Sequence, residues 1–192
     1  MPRQLALLLC LLFSAYLLRR DIKDRPTVSS AIWIPTLWLM IIGSRPVTLW
    51  FSGGVIDTTS GYYAEGSPLD RAFYLACIFA AFAVLRARGT NLVEVMAANK
   101  TIVLFYLYLG LTVLWSDIPF PSFKRWFKDL GNVVVILVIL TEKDPYEAMR
   151  AVFARCACVL IPLSVVFIKY FPDLGRDYSK SGGQMVTGVT LQ

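Results

Sequence analysis

Six runs without a single charged residue, arranged in series, decide what this chain can fold into. They are Leu5–Leu18, Val28–Ser44, Ala72–Leu85, Thr101–Trp115, Leu130–Leu140 and Cys156–Ile168. A soluble core supplies one or two such runs, not six. The chain is 57% hydrophobic, against about 45–50% for soluble domains, and its charges gather between the runs. A spanning helix needs about 20 predominantly apolar residues. Several runs are shorter, and reach that length only if flanking Trp, Tyr, Lys and Arg occupy the interfaces. The expectation is an all-α, multi-pass transmembrane helical bundle over residues 1–170, with about six spanning helices. Residues 171–192 then read as the start of an outward-facing polar loop that stops short.

The first run could instead be a signal peptide, since Arg3 precedes an apolar stretch of suitable length. No small-x-small cleavage site follows, however. The stronger positive charge (Arg19, Arg20, Lys23, Arg25) lies after the run, not before it. With that cluster in the cytoplasm, the 19 cations divide almost evenly, ten inside and nine outside. The Gly/Ser/Thr/Tyr-rich segment "GGVIDTTSGYYAEGSPLD" then lies outside, as suits a translocated loop. So do Lys124, Arg125 and Lys128, against the usual bias, so those cations should have a use that offsets the cost.

The polar chemistry is sparse. With no histidine in the sequence, His-based acid–base pairs, triads and zinc sites are excluded within these residues. Cys10, Cys77, Cys156 and Cys158 all fall in or beside apolar runs and read as small buried hydrophobes. No Gly-rich nucleotide loop or internal repeat is visible, and no cofactor or metal is called for. The pI near 9.3 comes from cations spread over many loops, so membrane-surface charge accounts for it more simply than nucleic acid. The carboxylates left as general bases, Asp57, Glu65, Asp70, Asp117, Asp173 and Asp177, are ordinary loop groups, and the catalytic residues stay unknown.

The segment "WSDIPFPSFKRWFKDLG" (115–131) stands out. Pro119 and Pro121 should hold off a helix until Ser122, a natural N-cap. From there Phe123, Trp126, Phe127 and Leu130 follow i, i+3, i+4, i+7 and make one apolar face. Lys124 and Lys128 share another side, and Arg125 can pair with Asp129. This describes an interfacial helix leading into the fifth run. Its cations either snorkel to lipid phosphate or build an anion site with the helix N-terminus, suited to a lipid-linked phosphate or diphosphate. Arg45, in "GSRPVTLW", stands at the outer end of the second run. Arg176 stands in a Gly-containing turn after the sixth, near Tyr178 and Lys180. In the chosen orientation all of these lie on the outer face.

The ordered segments "WIPTLWLMIIGSRPVTLW", "LTVLWSDIPFPSFKRWFKDLG" and "FPDLGRDYSKSGGQMVTGVT" together resemble the N-terminal half of the bacterial O-antigen ligase family, which includes related exopolysaccharide polymerases. The "WSD-x-P…S-x-K-R" and "GR-x-Y" elements carry the resemblance, and it runs across nearly the whole chain. It implies an all-helical, multi-pass glycosyltransferase of the bacterial inner membrane serving lipopolysaccharide or exopolysaccharide assembly. Such a protein moves a glycan from an undecaprenyl diphosphate carrier to an acceptor on the outward face, without nucleotide sugar or metal. It further implies that outward arginines hold the diphosphate, with Arg45, Lys124, Arg125 and Arg176 as counterparts and Lys128 beside them. The partners implied are the bilayer and a lipid-linked oligosaccharide. The departures are as plain: family members have more spans and a large outer loop carrying a functional histidine. The chain therefore reads as a fragment, completed by a missing C-terminal half or a partner chain. The rival readings are a small transporter subunit, which needs ionisable groups at membrane depth, and a non-catalytic membrane scaffold.

Overall fold

The computed structural model describes residues 2–51, 67–178 and 184–190. The fold is helical, with one small antiparallel hairpin near the end of the chain. It divides into two compact units, Met1–Ile56 with Glu142–Gln192, and Asp57–Thr141.

The first unit is built on two long helices, α1 (Arg3–Asp24) and α8 (Pro145–Tyr170). Asp144 caps α8 by accepting from the Tyr146 and Glu147 amides, and Pro145 fits the first helical position. The helices run antiparallel, since Asp21 near the end of α1 meets Arg155 in the first half of α8. The side of α1 turned inward is small: Ala6, Cys10 and Ser14, spaced i, i+4, i+8, are its buried residues. Against it α8 sets Leu163 and Phe167, which pack with Cys10. Small residues let two backbones approach closely, as helices packed in lipid do. The large apolar residues of α1 point outward instead, with Leu12, Phe13 and Tyr16 more than half exposed. That inside-out pattern suits a lipid-facing helix.

Helix α2 (Trp33–Ile42), entered through a 3-10 turn at Ser30–Ile32, packs on α8 and buries Pro35, Thr36 and Trp38. It stops at Gly43, and the short α3 (Val47–Phe51) follows. Beyond α8 come α9 (Pro172–Gly175), β1 (Arg176–Tyr178) and β2 (Gln184–Val186), with Arg176 opposite Val186. The chain then folds back. Val189 is 1% exposed and packs with Cys10, Leu163 and Phe167, and its amide donates to Ser164 Oγ. Gly188 has φ +63°, and a Cβ there would sit 3.0 Å from Ser164 Cβ, so conformation and space both require glycine.

In the second unit α4 (Pro68–Ala87) lies beside α7 (Pro119–Leu140), and the two run parallel. Lys128 meets Tyr74 toward their starts, and Arg88 reaches Val138 and Thr141 at their ends. Between them in sequence come α5 (Leu92–Ala98) and α6 (Lys100–Thr112), the latter extended by a 3-10 turn to Trp115. Helix α6 packs on α7 through Trp126, whose indole donates to the Tyr106 carbonyl at 2.9 Å. A Cβ at Gly110 would lie 3.1 Å from that indole, so glycine makes the room.

Two helices, α4 and α8, are long and apolar enough to cross a membrane, and a third joins them if α5 and α6 form one bent span. The expectation of six spans is not met, for physical reasons visible in each remaining run. Helix α2 has ten residues and extends about 15 Å, half of a hydrocarbon core of about 30 Å. Helix α1 is long enough but carries Arg19, Arg20, Asp21, Lys23 and Asp24 in its last turns. Helix α7 spends its first half on Lys124, Arg125, Lys128 and Asp129, which leaves an apolar stretch too short to span. The chain is a helical membrane protein with two to three candidate spans.

Candidate functional site

The five cations singled out in the sequence fall into two groups, one in each unit. Arg45 and Arg176 belong to the first. Arg45 follows the end of α2, where Pro46 prevents the helix from continuing. Its side chain turns inward and is only 8% exposed. Nη2 donates to the Leu174 carbonyl in α9, and the guanidinium carbon lies 6.0 Å from the centre of the Phe167 ring. That ring also meets Trp50 and Phe171. Nε is buried without a hydrogen-bond partner, and among the described residues no carboxylate pairs with Arg45. Burial pushes its pKa down from the ordinary arginine value. A guanidinium is basic enough to stay charged all the same.

Arg176 opens β1, is half-buried, and donates through Nε to the Ile168 carbonyl at 3.0 Å. Both arginines thus bind carbonyls between Ile168 and Leu174, where α8 ends and α9 begins. Gly175 makes this turn possible. A Cβ there would fall 2.4 Å from the Phe167 carbonyl carbon, and its own carbonyl accepts from the Thr187 and Gly188 amides. The result is a cationic knot at the C-terminal end of α8. Among the described residues it uses Nη2 of Arg45 and Nε of Arg176, and Arg45 Nε is buried there without a partner.

Lys124, Arg125 and Lys128 lie on α7. The two prolines do not delay this helix as the sequence reading held: it begins at Pro119, with Ile118 before it. Proline in the first turn gives up an N–H that no helical bond needs, so Pro119 and Pro121 are both tolerated. Ser122 is therefore inside the helix, and its hydroxyl lies 2.7 Å from that of Ser116. Lys124 places Nζ 3.9 Å above the Phe120 ring, and Lys128 places Nζ 4.4 Å above Tyr74. Both ammonium groups thereby rest on aromatic faces. Arg125 is exposed, and no ion pair joins it to Asp129 among the described residues. Of the apolar face foreseen on this helix, Trp126 packs on α6, while Phe123 and Phe127 point outward, 48% and 39% exposed.

Of the loop carboxylates, Asp70 sits in the first turn of α4, Asp117 and Asp173 are exposed, and Asp177 lies in β1. Asp57 and Glu65 lie outside the described residues, as does Lys180. Among the described residues, no group of Cys, Asp and Glu could hold a metal.

The sequence reading missed a second polar centre in the first unit. Arg155, 3% exposed within α8, donates through Nε to Asp21 Oδ2 at 2.9 Å and lies over the Trp33 ring at 4.9 Å. Asp21 also faces Arg25 at 2.9 Å, and Arg25 reaches Glu147 at 3.6 Å. Glu142 accepts from Ser29 nearby. A signal for this centre was present. Arg155 is the one charge in the otherwise apolar run from Ala151 to Ile168, and such a charge inside a membrane helix needs a partner.

Compared with family models, curated proteins and solved structures, the chain matches none.

Proposed function

We propose that the chain is a multi-pass protein of the bacterial inner membrane, of O-antigen ligase type. In this reading it binds an undecaprenyl-diphosphate-linked glycan at the outer face during lipopolysaccharide or exopolysaccharide assembly. The observation that carries the reading is Arg45: a guanidinium more than nine-tenths buried, with a buried Nε unspent and, among the described residues, no carboxylate beside it. A buried charge without a counter-charge is costly, and a diphosphate would supply both the charge and the acceptors. Arg176 binds the same turn and adds a second fork. Lys124, Arg125 and Lys128 are the further cations of this reading, suited to the surface around a phosphate headgroup.

The test is binding of an undecaprenyl diphosphate analogue in nanodiscs by the parent, Arg45→Gln, Arg45→Lys and Arg176→Gln. A charge-assisted hydrogen bond is worth about 1.5–3 kcal/mol, so each Gln variant should bind roughly 10- to 150-fold more weakly. Arg45→Lys should fall between, since a lysine keeps the charge and loses the fork. If all three bind like the parent while unfolding more easily, the arginines only cap α8 and the reading fails. A transporter subunit is the second reading, and the ion pair Asp21–Arg155 within the helical core favours it. Solute flux into proteoliposomes by the parent, lost in Asp21→Asn at an equal amount of folded protein, would select it.

A further inference from the structure

Helix α5 has no role in the carrier-binding reading, and its geometry is distinctive. It meets α6 at 95°. Asn99 makes the corner: its amide and its side-chain Nδ2 close α5 on the Val95 carbonyl, and its own carbonyl accepts the Ile102 and Val103 amides that open α6. At the other end, Gly89, with φ +67°, ends α4 in a left-handed turn. Asn91 then caps α5, accepting from the Val93 amide and donating to Glu94 at 2.8 Å. Both ends of α5 are thus set by local chemistry, so the right angle is built in.

The residues of α5 divide cleanly around its axis. At 3.6 residues per turn, Val95, Leu92, Met96 and Val93 fall within one arc of about 160°, and Glu94 lies opposite its centre. No residue of α5 is buried, and Val93 and Met96 are 74% and 54% exposed. Three cations surround this end of the unit: Arg86 and Arg88 where α4 ends, and Lys100 where α6 begins. Arg86 and Lys100 are exposed. Arg88 binds the Val138 carbonyl and Thr141 Oγ1, and so brings the end of α7 to the same level. Within α5 and the turns at its two ends, residues 88–100, Glu94 is the one carboxylate. A helix perpendicular to an apolar neighbour that enters the bilayer lies in the plane of that bilayer. Its apolar arc then rests among the upper acyl chains, with the cations at the phosphates.

We propose that α5 is an in-plane foot that binds the surface of an anionic phospholipid monolayer, with Leu92, Val93, Val95 and Met96 inserted and Arg86 and Lys100 on the headgroups. This holds whether or not the chain handles a glycan carrier. The test uses spin labels at positions 92, 93, 94 and 96, one at a time, in the full chain with its four cysteines replaced. Vesicles contain phosphatidylglycerol and phosphatidylethanolamine, or phosphatidylcholine alone. Labels at 92, 93 and 96 should collide with oxygen and be shielded from an aqueous nickel chelate, and the label at 94 should show the reverse. Residues 92 and 96 are about 6 Å apart along the helix axis. They should nonetheless sit at equal depth, whereas a full-turn difference would make α5 part of a steep span and overturn the proposal. Equal chelate access at all four positions would place α5 in water and overturn it as well. Arg86→Gln with Lys100→Gln should lower the preference for phosphatidylglycerol several-fold, and an unchanged preference would refute the anionic partner. Should the cysteine-free chain not fold, a photo-crosslinking residue at Val93 in the parent sequence replaces the labels. Capture of phospholipid is expected there, and capture of none refutes the insertion.

Discussion

Replacing Asp21 by Asn should destabilise the first unit far more than replacing its partner Arg155 by Met, and the structure says why. The pair is short, 2.9 Å, and nearly dry, with side chains 9% and 3% exposed. At an effective dielectric of 20, two charges at that distance attract by about 6 kcal/mol, much of it needed to offset desolvation. The two ends are not equivalent. Asp21 has a second cation, Arg25, at 2.9 Å, whereas Arg155 has Asp21 alone among the described carboxylates. Asp21→Asn therefore strands a buried guanidinium, at a cost of about 3–5 kcal/mol. Arg155→Met leaves Asp21 paired and keeps an apolar stem on Trp33, so its cost should be about 1–2 kcal/mol. Once Arg155 is Met, no cation is stranded, and adding Asp21→Asn should cost at most about 1 kcal/mol more. Thermal unfolding of the four proteins in one detergent would measure this. For a chain of this size each kcal/mol moves the midpoint by about 2–4 °C. Strictly additive losses, or an Asp21→Asn variant as stable as the parent, would refute the reasoning.

Gly175→Ala should cost about 1–3 kcal/mol through overpacking, because its Cβ would fall 2.4 Å from the Phe167 carbonyl carbon. The same change should weaken binding of the carrier analogue, since Arg45 and Arg176 both hold this turn, and equal stability and binding to the parent would contradict the packing. Arg88→Leu should lower the stability of the second unit by about 1–2 kcal/mol, with faster amide exchange at the end of α7, because it removes the donor to the Val138 carbonyl and Thr141.

The helical class was legible because six charge-free runs admit few alternatives. The number of spans was not, because a run of apolar residues does not say how far its helix extends. Val28–Ser44 reads as a single run, yet Gly43 ends α2 after ten residues. The beginning of α7 was misplaced because proline acts oppositely in a helix interior and in a first turn, and sequence alone does not say which turn is first. Arg45 stands out in the sequence, but nothing local reveals that it turns inward, because its partner Leu174 lies 129 residues away. Asp21–Arg155 stayed hidden for the same reason, at a separation of 134 residues. Asp21, read alone, looks like one of a cluster of charges at the edge of an apolar run, and Arg155 signals the need for a partner without saying which.

The two buried arginines of the first unit state the functional argument in its simplest form. Both are more than nine-tenths buried, both lie over an aromatic ring, and each retains one buried nitrogen without a partner. Arg155 has a carboxylate at 2.9 Å. Among the described residues Arg45 has a backbone carbonyl of α9, that of Leu174, and no carboxylate. A helix C-terminus offers about half a negative charge, worth about 0.3–1 kcal/mol at the surface and up to about 2 kcal/mol when partly buried. A desolvated cation costs several kcal/mol, so that end alone does not balance Arg45. An internal structural arginine would be expected to resemble Arg155, with its counter-charge supplied by the chain. Among the described residues no carboxylate answers the charge of Arg45, which is why the proposed reading assigns it an anion from outside. Titrating the parent with inorganic pyrophosphate tests this without any lipid or glycan. Its first unit should be stabilised in proportion to the logarithm of pyrophosphate concentration above the dissociation constant, and Arg45→Gln should lose that response while Arg155→Met keeps it. A response equal in all three proteins would mean that the anion binds elsewhere, and Arg45 would then be a cap and nothing more.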